Sequence, residues 1–214
     1  MPRRVRDRNT RGASGSRPNG EPAGIGFRTR TGNATAVMLG GLPASPRFLA
    51  RLYIPLVDMD DDDARQPYHV VTEQDEERGM RLVRQTLKTA TANAARATRG
   101  LIDRARSSDY EVRAAVLVVG SDTNPASIRQ THVRAHALEG RLYREAVEGA
   151  VSQIGLACRV VVERNILEAA EEALGKSHAE LRTAIDAIGK AAGRPWRSQD
   201  KAAALAAWMA WNRR

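Results

Sequence analysis

The segment that most constrains the fold is AAVLVVG, Ala114 to Gly120, seven consecutive residues that are apolar or small. A strand covered on one face alternates apolar and polar side chains. A strand that reads apolar throughout has to be covered on both faces. The chain must therefore place helices above and below a sheet, and the sequence after this run offers them. The loop SDTNP leads into a helix reaching about Gln153, with Asn124 as its cap and Pro125 in its first turn. ACRVVVERN reads as a further strand. ILEAAEEALG and HAELRTAIDAIGKAAG read as two helices parted near Gly175, the second capped by Ser177. SQDKAAALAAWMAW closes the chain as a last helix with Ser198 as its cap. Strands alternating with helices predict parallel strands joined by right-handed crossovers.

The residues before the run have a different rhythm. In GIGFRTRTGNATAVMLGG the pattern steps by two, so Ile25, Phe27, Thr29 and Thr31 share one strand face. Gly32-Asn33 suits a two-residue hairpin turn, since both residues tolerate positive φ. The return strand covers about Ala34 to Leu39. A third strand at RFLARLYIPLV puts Phe48, Ala50, Leu52, Ile54 and Leu56 on one face, and Pro55, lacking an N–H, favours an edge. DMDDDDARQPYH, with Asp58, Asp60, Asp61, Asp62 and Asp63, reads as a solvated loop. From about Glu73 to Ser107, Met80, Val83, Leu87, Ala90, Ala94, Ala97 and Leu101 recur at steps of three and four, the stripe of one long helix.

The chain has 214 residues and 42% hydrophobic content, enough for one core and short for two. Residues 1–22 are read as a disordered basic tail and 23–214 as the folded domain, because the first segment has almost nothing apolar to bury. It holds Arg3, Arg4, Arg6, Arg8, Arg11 and Arg17 against Asp7 and Glu21. The net charge of +9 suits a polyanion, and DNA or RNA is the expected partner; a tail that only aids solubility is the alternative. No run is apolar and long enough to span a membrane, and the N-terminus lacks the apolar core of a secretory signal, so a cytoplasmic protein is expected. One cysteine, Cys158, excludes an internal disulfide and is expected to sit in the core as a small hydrophobe.

An antiparallel meander followed by βαβα resembles the ribonuclease H-like superfamily over about residues 24–211. The resemblance implies an α/β fold with a five-stranded mixed sheet, helices on both faces, and the first strand central beside the fourth. It also implies acidic residues holding Mg or Mn for phosphodiester cleavage, carboxylates being the ligands such hard cations prefer. QDKAAALAAW is similar to the start of the final helix in the superfamily's Holliday-junction resolvases. Asp200 matches the first acid of that helix, the second falls on Ala203, and the first-strand Asp has no counterpart in GIGFR, where Gly26 stands. HALEGRLYREA, with GIGFR, VVVERN and QDKAAALAAW, further resembles a family of small uncharacterised bacterial proteins and points to Arg28, His136, Glu139, Glu163 and Asp200 as one site.

The resulting expectation is a nucleic-acid-associated ribonuclease H-like protein, a divergent metal-dependent nuclease in its catalytic form. His136, Glu139, Glu163 and Asp200 would be catalytic. Asp122, Glu139, Glu163 and Asp200 would hold the metal. Arg28, Lys201, Arg3 and Arg4 would contact phosphates. One alternative is a non-catalytic binding or assembly protein on a degenerate nuclease fold. Another is a metal-dependent hydrolase built on His132, His136 and Glu139, which fall at i, i+4 and i+7 on one helical face; the same residues could equally serve as internal hydrogen-bonding groups. Trp208 and Trp211 neighbour each other on the last helix and would serve core packing, a dimer contact or base stacking.

Overall fold

The computed structural model describes residues 20–212. Arg3, Arg4 and the rest of the expected tail up to residue 19 lie outside them. The sheet has five strands in the order β3-β2-β1-β4-β5. β1 (Glu21–Arg30), β2 (Asn33–Leu42) and β3 (Ser45–Pro55) form the antiparallel meander, while β4 (Tyr110–Val119) pairs parallel with β1 and β5 (Ala157–Val162) parallel with β4. The first strand is thus central and beside the fourth, and β3, with Pro55, is an edge, as expected.

The apolar run of β4 is covered on both faces. Ala115, Leu117 and Val119 join a core with α3 (Glu76–Arg106) and α4 (Thr131–Gln153); Ala114, Val116 and Val118 join a second core with α5 (Ile166–Leu174), α6 (His178–Ala192) and α7 (Ser198–Trp211). β1 divides in the same way, with a sharper chemical contrast. Ile25 and Phe27 enter the first core, whereas Gly24 and Gly26 meet the backbone and alanines of α7. That glycine face lets α7 lie against the sheet, and every residue from Ala202 to Trp211 is buried. Trp208 and Trp211 are core residues whose indole N–H groups donate to the carbonyls of Pro43 (2.9 Å) and Gly41 (3.2 Å).

Several local expectations shift. The first hairpin turns at Thr31-Gly32, one residue earlier than read, with Gly32 at φ 80° and Arg30 opposite Asn33. A register irregularity at Phe48 breaks the single face expected of β3: Phe48 packs into the α7 core, Ala50 and Ile54 into the other. Pro125 starts a single 3-10 turn capped by Asn124, and α4 proper begins only at Thr131. Ser198 is the first residue of α7 rather than its cap; the Arg197 N–H is accepted by Asp200 Oδ2 at 2.6 Å. The acidic segment, expected as a loop, contains α1 (Asp62–Arg65), capped by Asp61, and α2 (Pro67–Glu73), which Pro67 opens at its first position. α2 packs against α3 and α4. No helix among the described residues is long and apolar enough to cross a membrane.

Candidate functional site

Open α/β sheets collect ligands outside the carboxyl ends of their strands, where loops diverge to opposite faces. Here a cleft of about 1000 Å³ lies there, between the end of β1, the Gly120–Asn124 segment after β4, and α4. Arg28 sits at its inner wall, 7% exposed. One guanidinium nitrogen lies 2.5 Å from Glu163 Oε2, another donates to the Thr29 carbonyl, and Nε is buried without a partner. The Arg28 guanidinium holds the Glu163 carboxyl below the usual carboxylate range. Arg30, Arg65, Arg141 and Arg144 also line the cleft. Arg144 is held between Asp122 (2.6 Å) and Glu148 (3.0 Å), and Arg141 by Glu145 (2.8 Å). Arg30 is exposed and makes no ion pair among the described residues.

The residues expected to form one site divide into three places. Arg28 and Glu163 are a pair at the end of β1 and β5, and Asp122 faces the same cleft through Arg144. His136 lines the cleft from α4, one turn before Glu139, which is fully buried behind it. Asp200 stands apart, in a small depression with Thr35, Arg51, Tyr53 and Arg197, where it caps α7 and lies 3.9 Å from Arg51. Lys201 pairs with Asp186 of α6 at 2.9 Å and does not line the cleft.

The α4 histidines have a partner that the sequence pattern does not reveal. His69, on α2, meets both, with ring centroids 4.8 Å from His132 and 4.5 Å from His136. One ligand-capable ring nitrogen from each of the three falls within 4.8 Å of the others, and among the described residues this is the group of three that so converges. Glu139 Oε1 lies 2.7 Å from His69 Nδ1, and Glu139 Oε2 lies 3.4 Å from His136 Nδ1. Burial pushes the Glu139 carboxyl up, against the opposing pull of His69 and His136. His69 was hidden because a two-turn helix beside a run of Asp residues shows too little periodicity to distinguish it from a loop.

The carboxylates do not compose a site for Mg or Mn. Asp122, Glu139, Glu163 and Asp200 each have a separate partner, and no three carboxylates gather within ligand distance among the described residues. The departure from the resolvase pattern at Gly26 has a physical cause. A side chain added at Gly26 would overlap the carbonyl oxygen of Ala203 and the amide nitrogen of Ala207. The first-strand and final-helix positions that the resemblance assigns to acids are therefore the contact through which α7 seats on β1.

No family model matches the chain, and no curated protein matches it. Among solved structures, the fold is similar to that of Thermus thermophilus RuvC in complex with a Holliday junction substrate. The two share 12% identity over 87% of this chain and 91% of that one, with a TM-score of 0.50. A second structure of Thermus thermophilus RuvC aligns with a TM-score of 0.49 at 12% identity, covering 87% of this chain and 92% of that one. The mixed five-stranded sheet with helices on both faces is a ribonuclease H-like fold.

Proposed function

We propose that this protein binds nucleic acid through the arginine-lined cleft at the carboxyl ends of β1 and β4, and that it does so without a carboxylate-held metal pair. The observation that carries the reading is the cleft itself, with Arg28, Arg30, Arg65, Arg141 and Arg144 on its walls. Guanidinium groups suit phosphate because their planar fork donates two parallel hydrogen bonds. The Arg28 guanidinium lines the cleft, and the exposed Arg30 makes no ion pair among the described residues. The exposed Ser121 and Thr123 hydroxyls, 2.7 Å apart, also line the cleft. The similar fold that holds a Holliday junction supports a branched or distorted duplex as the first ligand to try.

Cleavage by carboxylate-bound Mg or Mn has no support from the dispersed acids. The same dispersal favours a binding role on this fold. The test is fluorescence anisotropy of the full chain with labelled duplex, single strand, RNA–DNA hybrid and four-way junction at two salt concentrations. Arg30→Glu and Arg141→Glu, compared with Arg3→Ala/Arg4→Ala, separate the cleft from the N-terminal arginines. The cleft variants are expected to lose selectivity among the four ligands. The N-terminal variant should lose affinity for all four alike and lower the salt slope by roughly 0.9 for each duplex phosphate it no longer neutralises. Unchanged affinity and selectivity in both cleft variants would overturn the reading.

A further inference from the structure

Three of the four histidines in the chain converge, from two helices far apart in sequence. His132 and His136 are one turn apart on α4, and His69 comes from α2, itself placed by packing against α4. The acids behind them cross over in the same way. Glu73, on α2, lies 3.3 Å from Nδ1 of His132 on α4, and Glu139, on α4, lies 2.7 Å from Nδ1 of His69 on α2. All three Nδ1 atoms thus face a carboxylate, with His136 Nδ1 3.4 Å from Glu139.

That arrangement decides where the lone pairs point. When the Nδ1–H of His69 donates to Glu139 and that of His132 to Glu73, the Nε2 of each presents a lone pair. His132 Nε2 and His136 Nε2 are 3.2 Å apart, and His69 Nε2 is buried with no partner at all. A buried orphan acceptor carries a desolvation cost. The hydrogen bond between the rings of His132 and His136 leaves the His69 nitrogen unsatisfied. Glu139 poses a second problem: it is fully buried and no Lys or Arg pairs with it among the described residues. A buried carboxylate without a compensating cation is strongly disfavoured. One dication held by the three rings resolves both together.

We infer that His69, His132 and His136 form a binding site for a single imidazole-seeking transition metal ion, Zn²⁺ being the natural occupant. Three neutral nitrogen ligands suit Zn, Cu, Fe or Ni and do not suit the hard, oxygen-seeking Mg or Ca. Zn–N bonds of about 2.0–2.1 Å at tetrahedral angles separate ligand nitrogens by roughly 3.3 Å, which the 3.2 Å between His132 and His136 already meets. His132 and His136 are exposed, so their rings can turn to close the wider separations. Glu139 and Glu73 occupy the place behind metal-bound imidazoles that orients the rings and raises their basicity. Three protein ligands leave a fourth position for water or an anion, the pattern of reactive rather than purely structural zinc sites. His136 belongs to both the cluster and the cleft wall, so the metal would sit at the cleft's margin.

The test uses the full chain, stripped with chelator and titrated with ZnCl₂ against a chromophoric competitor, then with CoCl₂ followed by visible absorption. One equivalent of either ion is expected to bind, with the absorption of four-coordinate Co²⁺. His132→Ala and His136→Ala change exposed side chains and should keep the native circular dichroism while losing stoichiometric binding. His69→Ala should lose it too. Glu139→Gln should retain the stoichiometry and weaken affinity by roughly 10–100-fold, the usual effect of removing such a partner. His178→Ala, at the helix start beside Glu171, should bind as wild type does. The inference fails if the wild-type chain takes up neither ion stoichiometrically, or if His132→Ala and His136→Ala bind with unchanged affinity. Neither result depends on whether the cleft binds nucleic acid.

Discussion

At Gly26 the missing Cβ is what lets α7 lie against β1. Any side chain there meets the α7 backbone, so Gly26→Ala is expected to cost about 1–3 kcal/mol or more, the range for overpacking a core, measured by urea denaturation. Gly26→Asp, which would restore the acid that the resemblance assigns to this strand, should do worse, because it adds an unpaired charge to the same contact. At Glu163 the electrostatics have a definite sign. Its carboxyl is depressed by Arg28, so the pair stabilises the fold above the ordinary carboxylate value of 4.5, and that contribution is lost as the pH falls through the lower folded value. Glu163→Gln should therefore be less stable than wild type at neutral pH and indistinguishable from it in acid, as followed by thermal melts across pH 2–7. Because the Glu163 side chain is 39% exposed, solvent screening keeps the difference small.

The segment that brings His69 to the other two histidines is built of short elements. α1 is a single turn and α2 two turns, too short to stand alone. Their placement depends on tertiary bonds, notably the Tyr143 hydroxyl of α4, which donates to the Arg65 carbonyl at 2.8 Å, and the Thr86 hydroxyl of α3, which donates to the Ala64 carbonyl at 3.0 Å. Tyr143→Phe is expected to cost about 1 kcal/mol, the net worth of one such bond, and to speed amide hydrogen exchange within residues 62–73 while leaving the sheet protected. Equal exchange in both proteins would show that packing of Pro67 and Val70 alone holds the segment. α7 is the opposite case, buried from Ala202 to Trp211 between sheet and helices. Trp208→Phe, which leaves the Pro43 carbonyl without its donor and shrinks the side chain, should lower global stability by about 1–3 kcal/mol.

For the molecule as a whole, Cys158 reports on whether the two cores unfold together. It lies on β5 against the α3–α4 core, and burial pushes its thiol up to about 11. The thiolate is the reactive form, so the native protein should react slowly with a thiol reagent at pH 8 and quickly once unfolded. If the fold is one cooperative unit, the urea midpoint for thiol exposure will coincide with the midpoint from far-ultraviolet circular dichroism. An earlier thiol transition would mean that β5, an edge strand, opens on its own. Charge is also a whole-chain property. Most of the net positive charge sits in residues 1–19 and at Arg213 and Arg214, so the described domain offers local guanidinium clusters rather than a general positive field.

The sequence by itself determined the layers. An apolar run from Ala114 to Val119 has one physical solution, a strand covered on both faces, and period-two alternation ahead of it separates the meander from the parallel half. It also placed Arg28 in the first strand and Glu163 in the last. Only the tertiary structure decided which polar groups meet. His69 joins His132 and His136 across more than sixty positions, through a two-turn helix whose position comes from its neighbours. Asp200 lies outside the cleft, where its carboxylate caps the start of α7, the helix whose alanines pack on Gly24 and Gly26. Backbone pattern is local and legible residue by residue; the convergence of polar side chains depends on how whole elements pack, and that is set by the shape of both cores at once.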